Sequence, residues 1–255
     1  MKPSVWDMHV HLDFMNNADE IVKEAEELGL GLFAVTVTPQ GYILSTRNIE
    51  EKENVRLGVG LHPWWAADGR CGPGDAFLAA DLIRDIRFVG EIGLDNSPKH
   101  VSPDSLPAQL SAFQTICKAC AASASPSTPK ILSIHSVRAA GLSMDILKES
   151  GCFSNCRCIF HWFTGSSDEL NRAIRSGFMF SVNEMMLNTR RGREYARQIP
   201  ADRLLLETDL PPGEHIPFSA LKILESLERS LDILREIRGM DMGRIICENS
   251  ERILS

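Results

Sequence analysis

Two imidazoles one residue apart, His9 and His11, sit in the stretch Asp7-Met8-His9-Val10-His11-Leu12-Asp13 at the end of the chain's first apolar run. If Val5 to His11 is a β-strand, its period-2 alternation turns both rings to one face, roughly 7 Å apart along the strand. Imidazoles so placed can grip one metal ion. A catalytic metal needs about three protein ligands plus an open position for water or substrate, so the remaining ligands must come from later in the chain. The candidates are His62, Glu91, His135, His161 and Asp209, each at the end of an apolar, β-rich run or just after one. Five of the seven histidines therefore fall at expected strand ends. A lone histidine there is more often a hydrogen-bonded core residue than a ligand. His9, His11, His135 and His161 gathered with Glu91 and Asp209 around one opening would be costly to bury unless a cation sat among them.

The elements that must position these groups alternate between strand and helix from end to end, the pattern of an α/β protein with a parallel sheet. Strands are expected at Val5 to His11, Gly31 to Val37, Arg56 to Leu61, Arg87 to Leu94, Lys130 to His135, Arg157 to His161, Phe178 to Val182 and Arg203 to Thr208. Amphipathic helices are expected between them at Asp19 to Leu28, Ile43 to Lys52, Asp75 to Asp85, Leu106 to Ala122, Ala139 to Glu149, Ser167 to Arg175, Thr189 to Gln198 and Pro217 to Arg238. A last short helix near Met242 to Leu254 would close over a strand edge or the barrel floor. Eight such units in 255 residues match a (β/α)8 TIM barrel of about 250 residues, expected as a single domain over 1–255. In that fold the functional groups lie at the C-terminal ends of the strands, where all the candidates fall.

A net charge of −7 cuts against a binder that works by broad phosphate neutralisation. Any polyanion must be met locally, by metals and a few cations. No run of about 18 apolar residues and no basic-then-apolar start is present, so neither a membrane span nor a secretion signal is expected and the default address is the cytoplasm. Seven cysteines in a chain of this size read as free buried thiols in a reducing compartment. Cys117 and Cys120 have Cys-x-x-Cys spacing but lie in a helical pattern, and a structural zinc on Cys152, Cys156 and Cys158 is the minority reading.

Six segments, taken in order, carry a resemblance. Asp7-Met8-His9-Val10-His11-Leu12-Asp13, Gly60-Leu61-His62-Pro63, Gly90-Glu91-Ile92-Gly93-Leu94-Asp95, Ile134-His135-Ser136, His161-Trp162-Phe163-Thr164-Gly165-Ser166 and Leu206-Glu207-Thr208-Asp209-Leu210-Pro211 resemble the motifs of the TatD family of metal-dependent deoxyribonucleases. Glu248-Asn249-Ser250-Glu251-Arg252-Ile253-Leu254 resembles that family's usual ending, so the likeness runs from residue 5 to about residue 254. The resemblance implies a TIM-barrel hydrolase with two divalent cations. One would take His9, His11, Glu91 and Asp209, the other Glu91, His135 and His161, with Glu91 bridging ions about 3.5–4 Å apart. It implies further that Asp209 accepts the proton of the attacking water and that His62 hydrogen-bonds the substrate phosphate. A capping role in the His62-Pro63 turn is the other reading of His62. Glu207 shares strand parity with Asp209 and either orients a ligand or pairs with a neighbouring strand. Asp7 reads as support beneath the site or at the barrel floor, and Asp13 as the start of the following helix.

The departures from the family pattern matter as much. Where the family typically has an arginine two residues after the fifth-strand histidine, this chain has Val137, with Arg138 next to it. Either Arg138 substitutes from a shifted position or a substrate contact is missing. After Leu94-Asp95 the family often continues with an aromatic residue, whereas Asn96-Ser97-Pro98-Lys99-His100 follows here, so the substrate loop is expected to differ. Arg190, Arg191 and Arg193 form a local basic cluster that either faces phosphates or is a solvated helix start. The leading expectation is a metal-dependent phosphodiesterase, a nuclease on DNA ends or single strands, working as a monomer with DNA as a locally contacted partner. The alternatives are a hydrolase of a small ester, lactone or amide on the same metal frame, and a binding subunit without catalysis. Mixed imidazole and carboxylate ligands suit Zn, Mn, Fe or Ni, and the oxygen ligands also suit Mg.

Overall fold

A computed structural model describes residues 3–49 and 52–255. Eight parallel strands, β1 (Val5–Val10), β2 (Leu30–Val35), β3 (Val55–Leu61), β4 (Phe88–Asp95), β5 (Lys130–Val137), β6 (Cys156–His161), β7 (Met179–Val182) and β8 (Leu204–Leu206), form one sheet in sequential order. Helices α1 (Ala18–Glu27), α2 (Pro39–Asn48), α3 (Pro63–Ala67), α4 (Pro73–Ile83), α5 (Leu106–Ser123), α6 (Ala140–Glu149), α7 (Cys152–Asn155), α8 (Ser167–Arg175), α9 (Glu184–Leu187), α10 (Arg190–Gln198), α11 (Ala220–Arg238) and α12 (Gly243–Leu254) lie between and after them. The strands are buried on both faces, which is why they read as near-continuous apolar runs: every residue of β2 and of β7 is buried. This is the (β/α)8 barrel expected from the strand–helix alternation. Glu50 and Glu51, within the expected helix Ile43 to Lys52, lie outside the described residues, and α2 begins earlier, where Thr38 caps it by accepting from Gly41 N and Pro39 takes the first helical position.

The seam between first and last strands is closed by the segment that follows β8. Asp209 N–H donates to His9 O at 2.9 Å, and His11 N–H donates to Leu210 O at 2.8 Å. Beside them the buried Asp7 carboxylate accepts from Thr208 N at 3.0 Å and from the Thr208 hydroxyl. Burial pushes the Asp7 carboxyl up to about 7. Asp7 is thus part of the seam rather than the floor. The floor is apolar: Trp6, Met8, Phe33, Ile131, Ile159 and Leu205 pack inside the strands, with Ile253 and Leu254 of α12 against them, the placement expected for the last helix.

Three local irregularities lie along the strands that carry the site. The β1–β2 register shifts between Asp7 and Val10, the β3–β4 register between Val59 and Leu61, and the β4–β5 register between Val89 and Glu91. Such bulges re-aim side chains near sites. Gly93, at φ 141°, pairs with His135 so closely that a Cβ there would lie 2.0 Å from His135 O. Only glycine lets β4 carry Glu91 and Asp95 this close to His135. All seven cysteines are free thiols, and among the described residues Cys152, Cys156 and Cys158 join no three-ligand group that could hold a metal. No helix of the described residues is long and apolar enough to cross a membrane.

Candidate active site

Every strand-end candidate lies at the same mouth, and the Glu91 carboxylate is at its centre. Its Oε2 lies 3.5 Å from His9 Nε2 and 3.4 Å from His11 Nε2. Its Oε1 lies 2.9 Å from His135 Nδ1, 2.9 Å from His161 Nε2 and 3.1 Å from His62 Nε2. Asp209 Oδ1 faces the first set, 3.2 Å from His11 Nε2 and 3.5 Å from His9 Nε2. Asp209 holds φ 59°, and Arg138 and Trp162 take φ 53° and 39°, so the chain is strained as it leaves β5, β6 and β8. Strain of this kind persists where surrounding contacts over-determine it, and it clusters at functional sites.

The charges at this mouth are opposed and tightly balanced. Glu91 is buried, which alone would raise its pKa, yet the surrounding imidazoles of His62, His161, His9 and His135 hold it well below the ordinary carboxylate range. His9 is pushed down to about 4, chiefly by burial and then by the His161 charge, so it is neutral, with the lone pair of one ring nitrogen available. At His11 burial opposes the charge, but the Asp209 hydrogen bond and the Glu91 charge outweigh it and raise the ring to about 9. Glu91 and Glu207 likewise lift His161 well above its ordinary value against burial.

Ring orientation follows from partners behind the rings. His9 Nδ1 is 2.7 Å from Ser133 Oγ, while its Nε2 is buried and has no hydrogen-bond partner. His135 Nε2 is 3.0 Å from Asp95 Oδ2, which leaves Nδ1 toward Glu91. Asp95 also accepts from Trp64 Nε1 at 2.7 Å and from Ser97 N at 2.6 Å. Glu207 is fully buried, 3.8 Å from His161 Nδ1, and takes hydrogen bonds from Asn183 Nδ2 at 2.9 Å and from the Ser181 hydroxyl. Asp13 Oδ1 lies 3.8 Å from His11 Nδ1, and the same carboxylate accepts from Val37 N at 3.2 Å. Burial raises Asp13 to about 6. Reading the sequence missed Ser133, Asp95 and Asp13 as supports. The first two had a signal in strand parity: Asp95 stands four residues from Glu91 and Ser133 two from His135, each in step with a candidate ligand on its own strand.

His62 takes the capping role expected of the His62-Pro63 turn. It caps α3, its Nδ1 accepting from Trp64 N at 3.0 Å. That bond occupies the Nδ1 lone pair, so the ring proton is on Nε2 and points at Glu91 as a donor. His62 belongs by distance to a group with Glu91 and His135 that could hold a metal, but this tautomer makes it a hydrogen-bond donor instead. Two other groups, His9 with His11 and Glu91, and His9 with His161 and Asp209, keep their ligand atoms within 4.8 Å of one another. A buried, unpartnered imidazole nitrogen amid convergent nitrogen and carboxylate donors suits a first-row divalent cation.

The mouth opens into a cleft of about 450 Å3 that Val137 helps to line. Arg138, Arg190 and Arg191 lie together along a neighbouring cleft that meets this one at Thr164. Arg138 therefore does not enter the mouth from the position next to Val137. Arg193 faces elsewhere, pairing with Glu236 at 3.2 Å.

An eight-stranded parallel barrel that turns buried imidazoles and carboxylates to one mouth defines a metal-dependent hydrolase of the TIM-barrel type. The family model described as TatD related DNase matches residues 6–255, and the chain belongs to that family. It is 28% identical to the 3'-5' ssDNA/RNA exonuclease TatD of Dickeya dadantii, over 98% of this chain and 97% of that protein. It is also 28% identical to the Deoxyribonuclease Tat-D of Schizosaccharomyces pombe, over 83% of this chain and 69% of that one. The crystal structure of YJJV, a TatD homolog from Escherichia coli, superposes with a TM-score of 0.76 at 19% identity, covering 99% of this chain and 98% of that one.

Proposed function

We propose that the protein is a phosphodiesterase that shortens single-stranded nucleic acid from an end, working with two divalent cations held in one domain of a single chain. The observation that carries this reading is the division of Glu91: one oxygen faces His9 and His11, the other faces His135 and His161, all within 3.5 Å. A carboxylate placed between two sets of imidazoles would be a ligand to both of two ions. His9, His11, Glu91 and Asp209 would hold one cation, and Glu91, His135 and His161 the other. Bound there, divalent cations supply Lewis acidity at the phosphoryl oxygens and a lowered pKa for water.

The protein's own groups do the rest. Asp209, partly open to the cleft and held ionised by its imidazole neighbours against burial, takes the proton of the attacking water. With Glu91 engaged by the cations, the His62 Nε2–H, otherwise 3.1 Å from Glu91 Oε1, would donate to a non-bridging phosphate oxygen instead. Ser133, Asp95 and Glu207 position His9, His135 and His161, and Arg138, Arg190 and Arg191 meet phosphates of the strand beyond the mouth. Water adds to phosphorus, the bond from phosphorus to the bridging oxygen breaks, that oxygen leaves on the shortened strand with the proton that Asp209 took from the water, and one nucleotide is released per cycle. The names of the Dickeya and Schizosaccharomyces relatives, an ssDNA/RNA exonuclease and a deoxyribonuclease, support a nucleic-acid substrate.

The test is an end-labelled single-stranded oligonucleotide incubated with purified protein and Mg, Mn or Zn, beside the Asp209→Ala variant. Stepwise shortening that disappears in the variant is expected. Absence of cleavage with every ion, in protein shown to contain metal, overturns the reading and turns attention to small esters, lactones and amides.

A further inference from the structure

Above the imidazole–carboxylate cluster, the wall of the cleft is aromatic. Of the four tryptophans in the chain, Trp64, Trp65 and Trp162 line it, together with Phe14 and His100. In a chain with only 7% aromatic residues this concentration calls for a ligand. None of these rings is in the buried core: Phe14, Trp64, Trp65 and Trp162 are half-buried and His100 is exposed.

The rings are braced. His100 stacks on Trp64 at 4.5 Å and 21°, and the indole N–H of Trp64 is tied to Asp95. The Arg70 guanidinium lies 3.9 Å from the Trp65 ring centroid. Phe14 stacks on His11 at 4.8 Å and 19° and lies nearly parallel to Trp65, at 26°. The backbone of Phe14 is held too, since its carbonyl accepts from Ile216 N at 3.3 Å. Rings ordered before binding lose little freedom when a flat ligand arrives.

We infer that Phe14 and Trp65, with Trp64 on the same cleft wall, form a stacking platform for the unpaired base of the terminal nucleotide. The inference rests on the nucleic-acid reading of the site and adds the part of the substrate that the cluster does not touch. The spacing fits: the His62 ring, whose Nε2–H is the proposed phosphate donor, lies 5.2 Å from Trp65 and 4.9 Å from Trp64. A base one sugar away from its phosphate reaches that wall. Stacking accepts any base, because every base has a π-face, and it requires the base to be free of its partner strand. A chain of net charge −7 gains from a contact that needs no positive charge.

Calorimetric titration of the Mg-loaded protein with dAMP and with 2-deoxyribose 5-phosphate separates the base from the rest. The nucleotide should bind about tenfold tighter or more. That gap should close in Trp65→Ala and in Phe14→Leu, which keeps an apolar side chain in case Phe14→Ala does not fold, and should persist in Trp65→Phe. Equal binding of the two ligands by the wild type, no measurable binding of either, or a gap that survives both ring-removing variants overturns the inference. The strand-shortening assay reports independently: a gap without cleavage supports the platform while sinking the hydrolytic reading, and cleavage without a gap sinks the platform alone.

Discussion

Each ionic partner of the Glu91 carboxylate is an imidazole nitrogen, five rings on two oxygens. Replacing this one residue therefore acts on both halves of the site. Glu91→Ala should bring hydrolysis to background and release bound metal, while far-ultraviolet circular dichroism keeps the wild-type shape. His62→Ala should retain its metal and lose activity by about 10^2-fold, since it removes a single charge-assisted donor from the phosphate. Metal content by plasma spectrometry with initial rates separates the two. Full activity in Glu91→Ala would mean that no ion is bridged there. At this scale the convergence of His9, His11, Glu91, His135, His161 and Asp209 was legible because so many imidazoles and carboxylates fell at strand ends together, where each alone reads as a core residue. Their supports were less so. Asp95 serves His135, Trp64 and the Ser97 N–H at once, and nothing about a single aspartate in a chain announces three partners.

Among the elements, the eight strands and most helices were legible from apolar runs bounded by turn residues, because parallel strands bury both faces. α3, only Pro63–Ala67, is too short to show a period, and its start depends on His62 acting as a cap. The bulges at Asp7–Val10 and Val89–Glu91 were invisible, since an extra unpaired residue leaves no trace in hydrophobicity. The start of α8 shows how side chains join neighbouring units. Glu169 accepts from Ser166 N at 2.7 Å to complete a capping box and from Gly141 N at 2.7 Å at the start of α6. Burial raises the Glu169 pKa, but these bonds, the Ser166 hydroxyl and the Arg172 charge outweigh it and hold it below the ordinary glutamate value. A depressed folded pKa stabilises above the unfolded value of about 4.3 and is lost as pH falls through the folded value. Glu169→Ala should thus cost about 1 kcal/mol at pH 7. The difference from wild type in urea midpoint should shrink below about pH 4. A difference that stays constant down to pH 3 would assign the loss to packing instead.

For the whole molecule, the negative balance confines phosphate contacts to a few cations. With Arg138, Arg190 and Arg191 as the contacts and about −0.7 per contact on a single strand, log affinity against log salt should fall with a slope of about −2. Fluorescence anisotropy of a labelled single strand on the Asp209→Ala protein would measure it. A slope several times steeper would reveal a wider basic track than these three side chains provide. Charge and barrel class were both legible from composition and alternation. The gathering of Arg138 with Arg190 and Arg191 was not, because it depends on where the turn after β5 and the first turn of α10 meet in space.

The seam between β1 and the segment after β8 joins residues about two hundred positions apart, as the Asp7 to Thr208 bond shows with a separation of 201. His9 and His11 come from one side of that seam and Asp209 from the other. Contacts this remote in sequence form late and slowly. During synthesis, a growing chain that has completed six or seven strands still holds only part of its ligand set. The candidate ligand set is thus gathered only when the segment after β8 joins β1, and a chain cut short before Thr208 is expected to show no cleavage of a single strand.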